Sequence, residues 1–161
     1  MTSESMVYGL TTSGKMMHRM IDTLKPNEFE YQPFPGVNCV AWILGHLTDV
    51  NHRTLTSLGA SDIPVIPEGF LNRFGVTRQP AAEQGGYGDP AELVRLYDAM
   101  QERLIAVVAG LSTEQLSAAL PSPTPLFSTR GEMLLFLGIH TTMHVGQISM
   151  IRRHLGYPPT I

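Results

Sequence analysis

The amino-acid sequence predicts an all-α fold: a four-helix bundle with a long crossover between helices 2 and 3. Proline placement is the first reason. All 12 prolines lie at positions 26, 33, 35, 64, 67, 80, 90, 121, 123, 125, 158 and 159, leaving proline-free windows at 1–25, 36–63, 91–120 and 126–157. A proline inside a helix removes a donor and clashes with the preceding turn, so these windows mark where helices can run. Each window also spaces its apolar residues by three and four, the helical period. Finally, no strand pattern competes, since short candidates such as Ile63-Pro64-Val65-Ile66 are broken by proline.

The first window carries Val7, Leu10, Gly14, Met17, Ile21 and Leu24, a bundle-type stripe in which Gly14 would let a neighbour approach closely. In the second, Asn38 is the expected N-cap and Gly59 the residue just past the C-terminus. Its stripe runs through Ile43, His46, Leu47 and Val50. The third opens on Asp89-Pro90-Ala91-Glu92, an acidic cap followed by proline at the first helical position, and Gly110 ends it. Its stripe is Leu93, Leu96, Tyr97, Met100, Leu104 and Val107. Ser112-Thr113-Glu114-Gln115 reads as a short extra turn with a capping box. The fourth begins at a second capping box, Thr129-Arg130-Gly131-Glu132, and stops at Gly156 before Pro158-Pro159. The connection from Gly59 to Gly88 is rich in Pro and Gly but embeds Phe70, Phe74 and Tyr87, which favours an ordered lid or rim over a free linker.

At 161 residues and 17.7 kDa the chain is expected to form one domain over 1–161, large enough to bury a core without disulfide or metal staples. Only 16% of residues are charged, against roughly 25% in an ordinary globular chain. That shortage suggests a surface covered by another subunit. With 11 Lys and Arg, a net charge of −3 and a pI near 6.0, there is no electrostatic footprint for nucleic acid. The longest uninterrupted apolar stretch, Met133 to Ile139, is too short to span a bilayer, so no membrane partner is expected. The first residues, Met1-Thr2-Ser3-Glu4-Ser5, show no basic segment followed by an apolar one, so no secretory signal is expected. A lone cysteine, Cys39, rules out an intrachain disulfide framework and suits a reducing cytoplasm.

Six histidines are present, and three of them carry the chemistry. His140 and His144 stand at i, i+4, which stacks both imidazoles on one helix face within reach of one metal ion. That face is the apolar stripe of the fourth window: Met133, Phe136, Leu137, Ile148, Ile151 and Leu155 share it. Burying two imidazoles in an apolar core requires a partner for each, and a divalent cation is an effective one. His46 sits on the apolar stripe of the second window, so three inward nitrogens from two helices would leave an open coordination position of the catalytic kind. Hydrogen-bonded core histidines are the competing reading. Thr141 follows His140, which excludes the His-Glu-x-x-His protease arrangement, and the absence of Glu-x-x-His argues against a di-iron bundle. Asp49 and Gln147, each three residues after a candidate ligand, are candidates to fix an imidazole tautomer. His18, His52 and His154 are expected to face solvent, and Cys39 to be a small buried hydrophobe.

At these residues the chain resembles the DinB/YfiT-like metalloenzyme superfamily. One matching segment is Phe34-Pro35-Gly36-Val37-Asn38 running into Trp42-Ile43-Leu44-Gly45-His46-Leu47. The other is His140-x3-His144-Val145-Gly146-Gln147-Ile148, then Arg152-Arg153 and Leu155-Gly156-Tyr157-Pro158-Pro159. The resemblance implies a four-helix bundle with a long connection between helices 2 and 3, commonly a homodimer. It also implies a divalent metal, usually zinc or nickel, held by three histidines, here His46, His140 and His144. Characterised members include metal-dependent transferases acting with low-molecular-weight thiols such as bacillithiol and mycothiol, and mycothiol-dependent maleylpyruvate isomerase.

Three functions follow as expectations. The first is a thiol S-transferase or related thiol-dependent enzyme, in which the thiolate attacks a small-molecule electrophile admitted under the 59–88 loop. The second is a hydrolase using metal-bound hydroxide at the same site. The third is a non-catalytic dimeric metal-binding or stress-related protein.

Overall fold

A computed structural model describes residues 2–74 and 86–160. Four long helices make the bundle: α1 (Ser3–Ile21), α2 (Val40–Ser57), α4 (Pro90–Ala109) and α6 (Arg130–His154). Two short ones, α3 (Phe70–Phe74) and α5 (Thr113–Ser117), and a 3-10 turn at Pro26–Glu28 lie in the connections. Among the described residues the β structure is a single isolated bridge between Ala119 and Thr129. The all-α, four-helix architecture with its long crossover between the second and third long helices is as expected.

Most helix ends follow from local chemistry. Asp89 accepts from the Ala91 amide with Pro90 at the first helical position, and Thr129 and Glu132 close a reciprocal box at the start of α6. Ser112 and Gln115 do the same for α5. Past the C-termini, Gly59 (φ 67°) and Gly156 (φ 88°) adopt the left-handed conformation that ends a helix. The start of α2 differs from expectation. Cys39, not Asn38, is its N-cap and offers no side-chain bond; the Ala41 amide is met instead by the Phe29 carbonyl at 2.9 Å. Asn38 reaches across to Gln147 of α6.

The packing is a ring with one open seam. Helix α6 lies chiefly on α1, α1 on α4, and α4 on α2, while α2 and α6 touch sparsely. Because α3 and α4 also cover it, α2 is buried nearly all round from Val40 to Asp49 rather than along one stripe. In α4 the buried residue of the last turn is Val108 and not Val107, and Gln101 joins the core. In α6 the buried set includes Leu134, Thr141 and Val145, which face α1; Met133, Phe136 and His140 are half-buried beside the seam. By length and composition α6 is also apolar enough to cross a membrane, although its uninterrupted apolar run is short; in the bundle 39% of the relevant window is buried.

The core falls into two apolar clusters. One gathers Met17, Met20, Trp42, Ile43, Leu44, Tyr97 and Ile148; the other holds Met6, Leu10, Leu55, Met100, Leu104 and Leu134. A buried polar relay ties three helices together: Asn51 Nδ2 donates to Gln101 Oε1 at 2.8 Å, and Gln101 Nε2 donates to the Leu10 carbonyl at 3.0 Å. Gly14 does not serve the close approach expected of it, since the nearest atoms, from Gln101, stand at ordinary contact distance. Gly45 does: a Cβ there would run into the Phe74 ring. At the far end, buried Arg152 donates through Nη1 to the Met20 carbonyl and to Thr23 Oγ1, both at 2.7 Å. That locks the last turn of α6 onto the end of α1.

Phe70, Phe74 and Tyr87 of the crossover are all buried and stacked on one another, with ring centroids 4.6 and 5.3 Å apart. These parts of the 59–88 connection are packed onto α2, in keeping with an ordered rim. Its segment 75–85 lies outside the described residues.

Candidate metal centre

The sparse contact between α2 and α6 occurs where three imidazoles meet. His46 Nε2 stands 3.4 Å from His140 Nε2, which in turn stands 3.1 Å from His144 Nε2. One nitrogen from each ring lies within 4.8 Å of the others. His46 and His144 are buried and His140 is half-buried, so the cluster opens on the His140 side.

Each ring is held in place by its own neighbours. The indole of Trp42, one turn before His46, stacks on that imidazole at 4.8 Å and 9°. Phe136, one turn before His140, lies nearly parallel to its ring at 5.9 Å and 10°. Both pairs are i, i+4 on a helix, so the spacing that brings His140 to His144 also supplies the aromatic supports. His46 Nδ1 faces the Phe74 carbonyl at 3.4 Å. His144 Nδ1 faces Gln147 Oε1 at 3.0 Å, and the same oxygen receives Asn38 Nδ2 at 3.4 Å.

These outer bonds decide the tautomers. A carbonyl oxygen only accepts, so Nδ1 of His46 and of His144 carry the protons and their Nε2 atoms present bare lone pairs. Both lone pairs aim at His140 Nε2, which has at most one proton to offer. At least one buried lone pair is left unmet by the protein alone. Burial also disfavours protonation of the rings. It is the main cause of lowered values at His46, with His144 and His140 adding to it, and at His140, where His144 adds. Both are held at about 4. His144 is lowered too, by burial, with Gln147 opposing. At neutral pH all three rings are neutral, the form that binds a metal. Two nitrogens on one tetrahedral zinc, each about 2.0–2.1 Å from the ion, stand about 3.3 Å apart. The observed separations of 3.1 and 3.4 Å match that donor spacing. The residues present therefore fit a divalent cation.

The two tautomer-fixing candidates separate. Gln147 takes the expected position against His144. Asp49 does not face a histidine: it is buried and bound to Arg53 Nη2 at 2.6 Å, one turn further along α2. Its carboxyl is raised by burial, with Arg53 acting in the opposite sense. The i, i+4 arginine outcompetes a partner at i−3 because a charged guanidinium repays burial of a carboxylate better than a neutral imidazole does. Phe74 was not foreseeable as the partner of His46, since a backbone carbonyl is present at every position. Trp42, Phe136 and Arg53 were foreseeable in principle from helical spacing alone.

The other histidines are less uniform than expected. His18 is only part-exposed, bridging Asp22 at 3.0 Å and Asp98 at 2.8 Å. His52 is half-buried, and exposed His154 packs against Tyr31 and Phe34. Cys39 is fully buried as expected, and burial pushes its thiol up to about 11.

One cavity reaches the triad, and a second lies behind Gln147 without touching the histidines. On the His140 side a cleft of about 460 Å³ runs along the seam between α2 and α6, with His46 and His140 in its wall. The second cavity, of about 330 Å³, is bordered by Asn38, Gln147 and the Pro33–Val37 loop.

Solved structures share the fold. YfiT from Bacillus subtilis, described as "a probable metal-dependent hydrolase with an unusual four-helix bundle topology", superposes with a TM-score of 0.67 at 17% identity, covering 97% of this chain and 89% of that one. A conserved protein from Enterococcus faecalis gives a TM-score of 0.61 at 20% identity, covering 96% and 97%. No curated protein matches the sequence. The family model of the DinB superfamily matches residues 10–148, most of the chain including all three histidines, and the protein therefore belongs to the DinB superfamily.

Proposed function

We propose that the protein is a metal-dependent enzyme that joins a low-molecular-weight thiol to a small electrophile, with His46, His140 and His144 holding the metal. The observation that carries the metal is the convergence of three neutral imidazole nitrogens with an unmet lone pair beside an open cleft. Bound there, a divalent cation, zinc or nickel, supplies Lewis-acid chemistry and lowers the pKa of a water or thiol at an open position. The chain's own residues do the positioning. Phe74 and Gln147 fix which nitrogen His46 and His144 present, Trp42 and Phe136 fix the ring planes, and the cleft gives access from the His140 side.

The resemblance to thiol-dependent members of the superfamily is what favours a thiol as second reactant. The chain's one thiol, Cys39, is buried and held protonated, so a reacting thiol has to arrive with a cofactor. The seam cleft leaves room for a small-molecule reactant beside His46 and His140. The description of YfiT favours the second reading, hydrolysis, in which water takes the thiol's place. Thermal denaturation with a thiol panel, zinc-loaded and metal-free, separates the two. A thiol at about 100 times its Kd adds about 2.7 kcal/mol. Stabilisation by one thiol only in the loaded form supports transfer. Turnover of an electrophile by loaded protein without thiol consumption overturns it in favour of hydrolysis.

The expected homodimer belongs to the same proposal. Tyr8 of α1 and Leu135, Ile139 and Met143 of α6 are exposed large apolar residues along one shallow groove, the kind of patch that marks an association surface.

A further inference from the structure

The geometry points to a substrate class for the seam cleft: a small electrophile with an uncharged aryl or branched-alkyl body, its reacting atom directed at His46 and His140. This rests on the metal-enzyme reading above and adds to it the apolar residues of the cleft wall. Helices α2 and α6 lean away from each other onto α4 and α1, leaving a gap that their apolar side chains line without closing. Val50 projects from α2, and Met133, Phe136 and Leu137 from α6; Phe127, just before α6, completes the wall. Phe127 packs on Phe136 with centroids 5.5 Å apart, and Phe136 lies parallel to His140, so aromatic faces run from the mouth to the triad.

Charge narrows the class. Arg53 is the cation in the cleft wall, and the buried Asp49 carboxylate already engages it at 2.6 Å. The pair leaves the lining close to neutral, which does not favour a polyanionic substrate. Size agrees as well: a cavity of about 150 Å³ is enough for benzene, whereas this cleft measures about 460 Å³. A ring and the reactive group attached to it both fit.

Benzyl alcohol is the metal-independent probe, titrated into methyl-labelled protein, metal-free and zinc-loaded, while the methyl resonances of Val50, Met133 and Leu137 are followed. Saturable shifts at these methyls are expected in both forms. Val50→Trp or Met133→Trp, each filling the gap from one wall, should abolish them with helical content intact. If either tryptophan variant loses helix, Phe127→Ala should weaken benzyl alcohol several-fold instead. A second arm compares benzohydroxamate with acetohydroxamate on zinc-loaded protein. The aryl compound should bind about tenfold tighter or more, and Val50→Trp should bring the ratio to about one. Absence of saturable shifts at the three methyls, shifts confined to the outer α1/α6 groove, or equal hydroxamate affinities would overturn the assignment. Benzyl alcohol shifts at the cleft with neither hydroxamate binding would support the cleft and remove the metal reading.

Discussion

Gly45 lacks a side chain because the Phe74 ring occupies the space one would fill. That contact seats α3 against α2 and delivers the Phe74 carbonyl to His46, so a missing methyl group on one residue orients the imidazole of the next. Gly45→Ala should destabilise the fold by about 1–3 kcal/mol through overpacking. It should also weaken zinc binding about 10- to 100-fold, as loss of an outer partner does; a competitive zinc titration reads the second effect. His18 offers an independent check away from the triad. Burial lowers its pKa, but hydrogen bonds to Asp22 and Asp98, with their charges, raise it overall above 6.5. A raised folded value means the stabilisation is complete below about pH 6.5 and fades as pH rises through the folded pKa. The stability difference between the protein and His18→Gln, measured by urea denaturation, should therefore shrink from pH 6 to pH 8. Its full size should be only about 0.5 kcal/mol, because the bridge is part-exposed. At this scale the sequence revealed the side chains and, in Gln147, one of their partners. His46, His140 and His144 stood out by spacing, whereas the Phe74 carbonyl and the loss of Asp49 to Arg53 depended on competition between neighbours.

Among the elements, α6 shows best what local chemistry settles. Thr129 caps it, and the half-buried Glu132 carboxylate collects the Ser128 and Thr129 amides, which hold its pKa down at about 2. Thr129→Ala should cost about 1 kcal/mol, measurable by chemical denaturation. Caps of this kind were legible because all their atoms lie within four residues. Asn38 misled for the opposite reason: Gln147, 109 positions away, takes its side chain. The stripe of α4 was legible up to its last turn, where Val108 replaces Val107, and that of α6 in Leu137, His144, Ile148 and Ile151, with Leu134 missed. Which side of a helix is innermost depends on the neighbour it leans on, and α6 leans on α1. Register across α2, α4 and α1 is pinned by the Asn51–Gln101–Leu10 relay. Gln101→Leu should destabilise by about 1–3 kcal/mol, the usual result of orphaning a buried amide. Adding Asn51→Leu should recover part of that loss.

At the level of the whole molecule, a four-helix ring with one unclosed seam explains why a site exists at all. Closure of α2 on α6 would bury the three imidazoles against one another with an unmet lone pair between them. Held apart, the helices leave a donor set at the side of an apolar cleft. The low charge fraction belongs to this scale as well: α2 is enclosed nearly all round, and the outer α1/α6 face stays apolar. Sedimentation should give a particle of twice the 17.7 kDa chain, reduced to one chain by Ile139→Glu. The metal is what the three imidazoles are arranged for, and the most direct test of it is metal content per chain after dialysis against zinc or nickel. One tightly bound ion per chain is predicted, lost in His140→Ala and His144→Ala while helical content is retained. A wild-type chain that stays metal-free in excess zinc and nickel, or variants that keep the full complement, would contradict it.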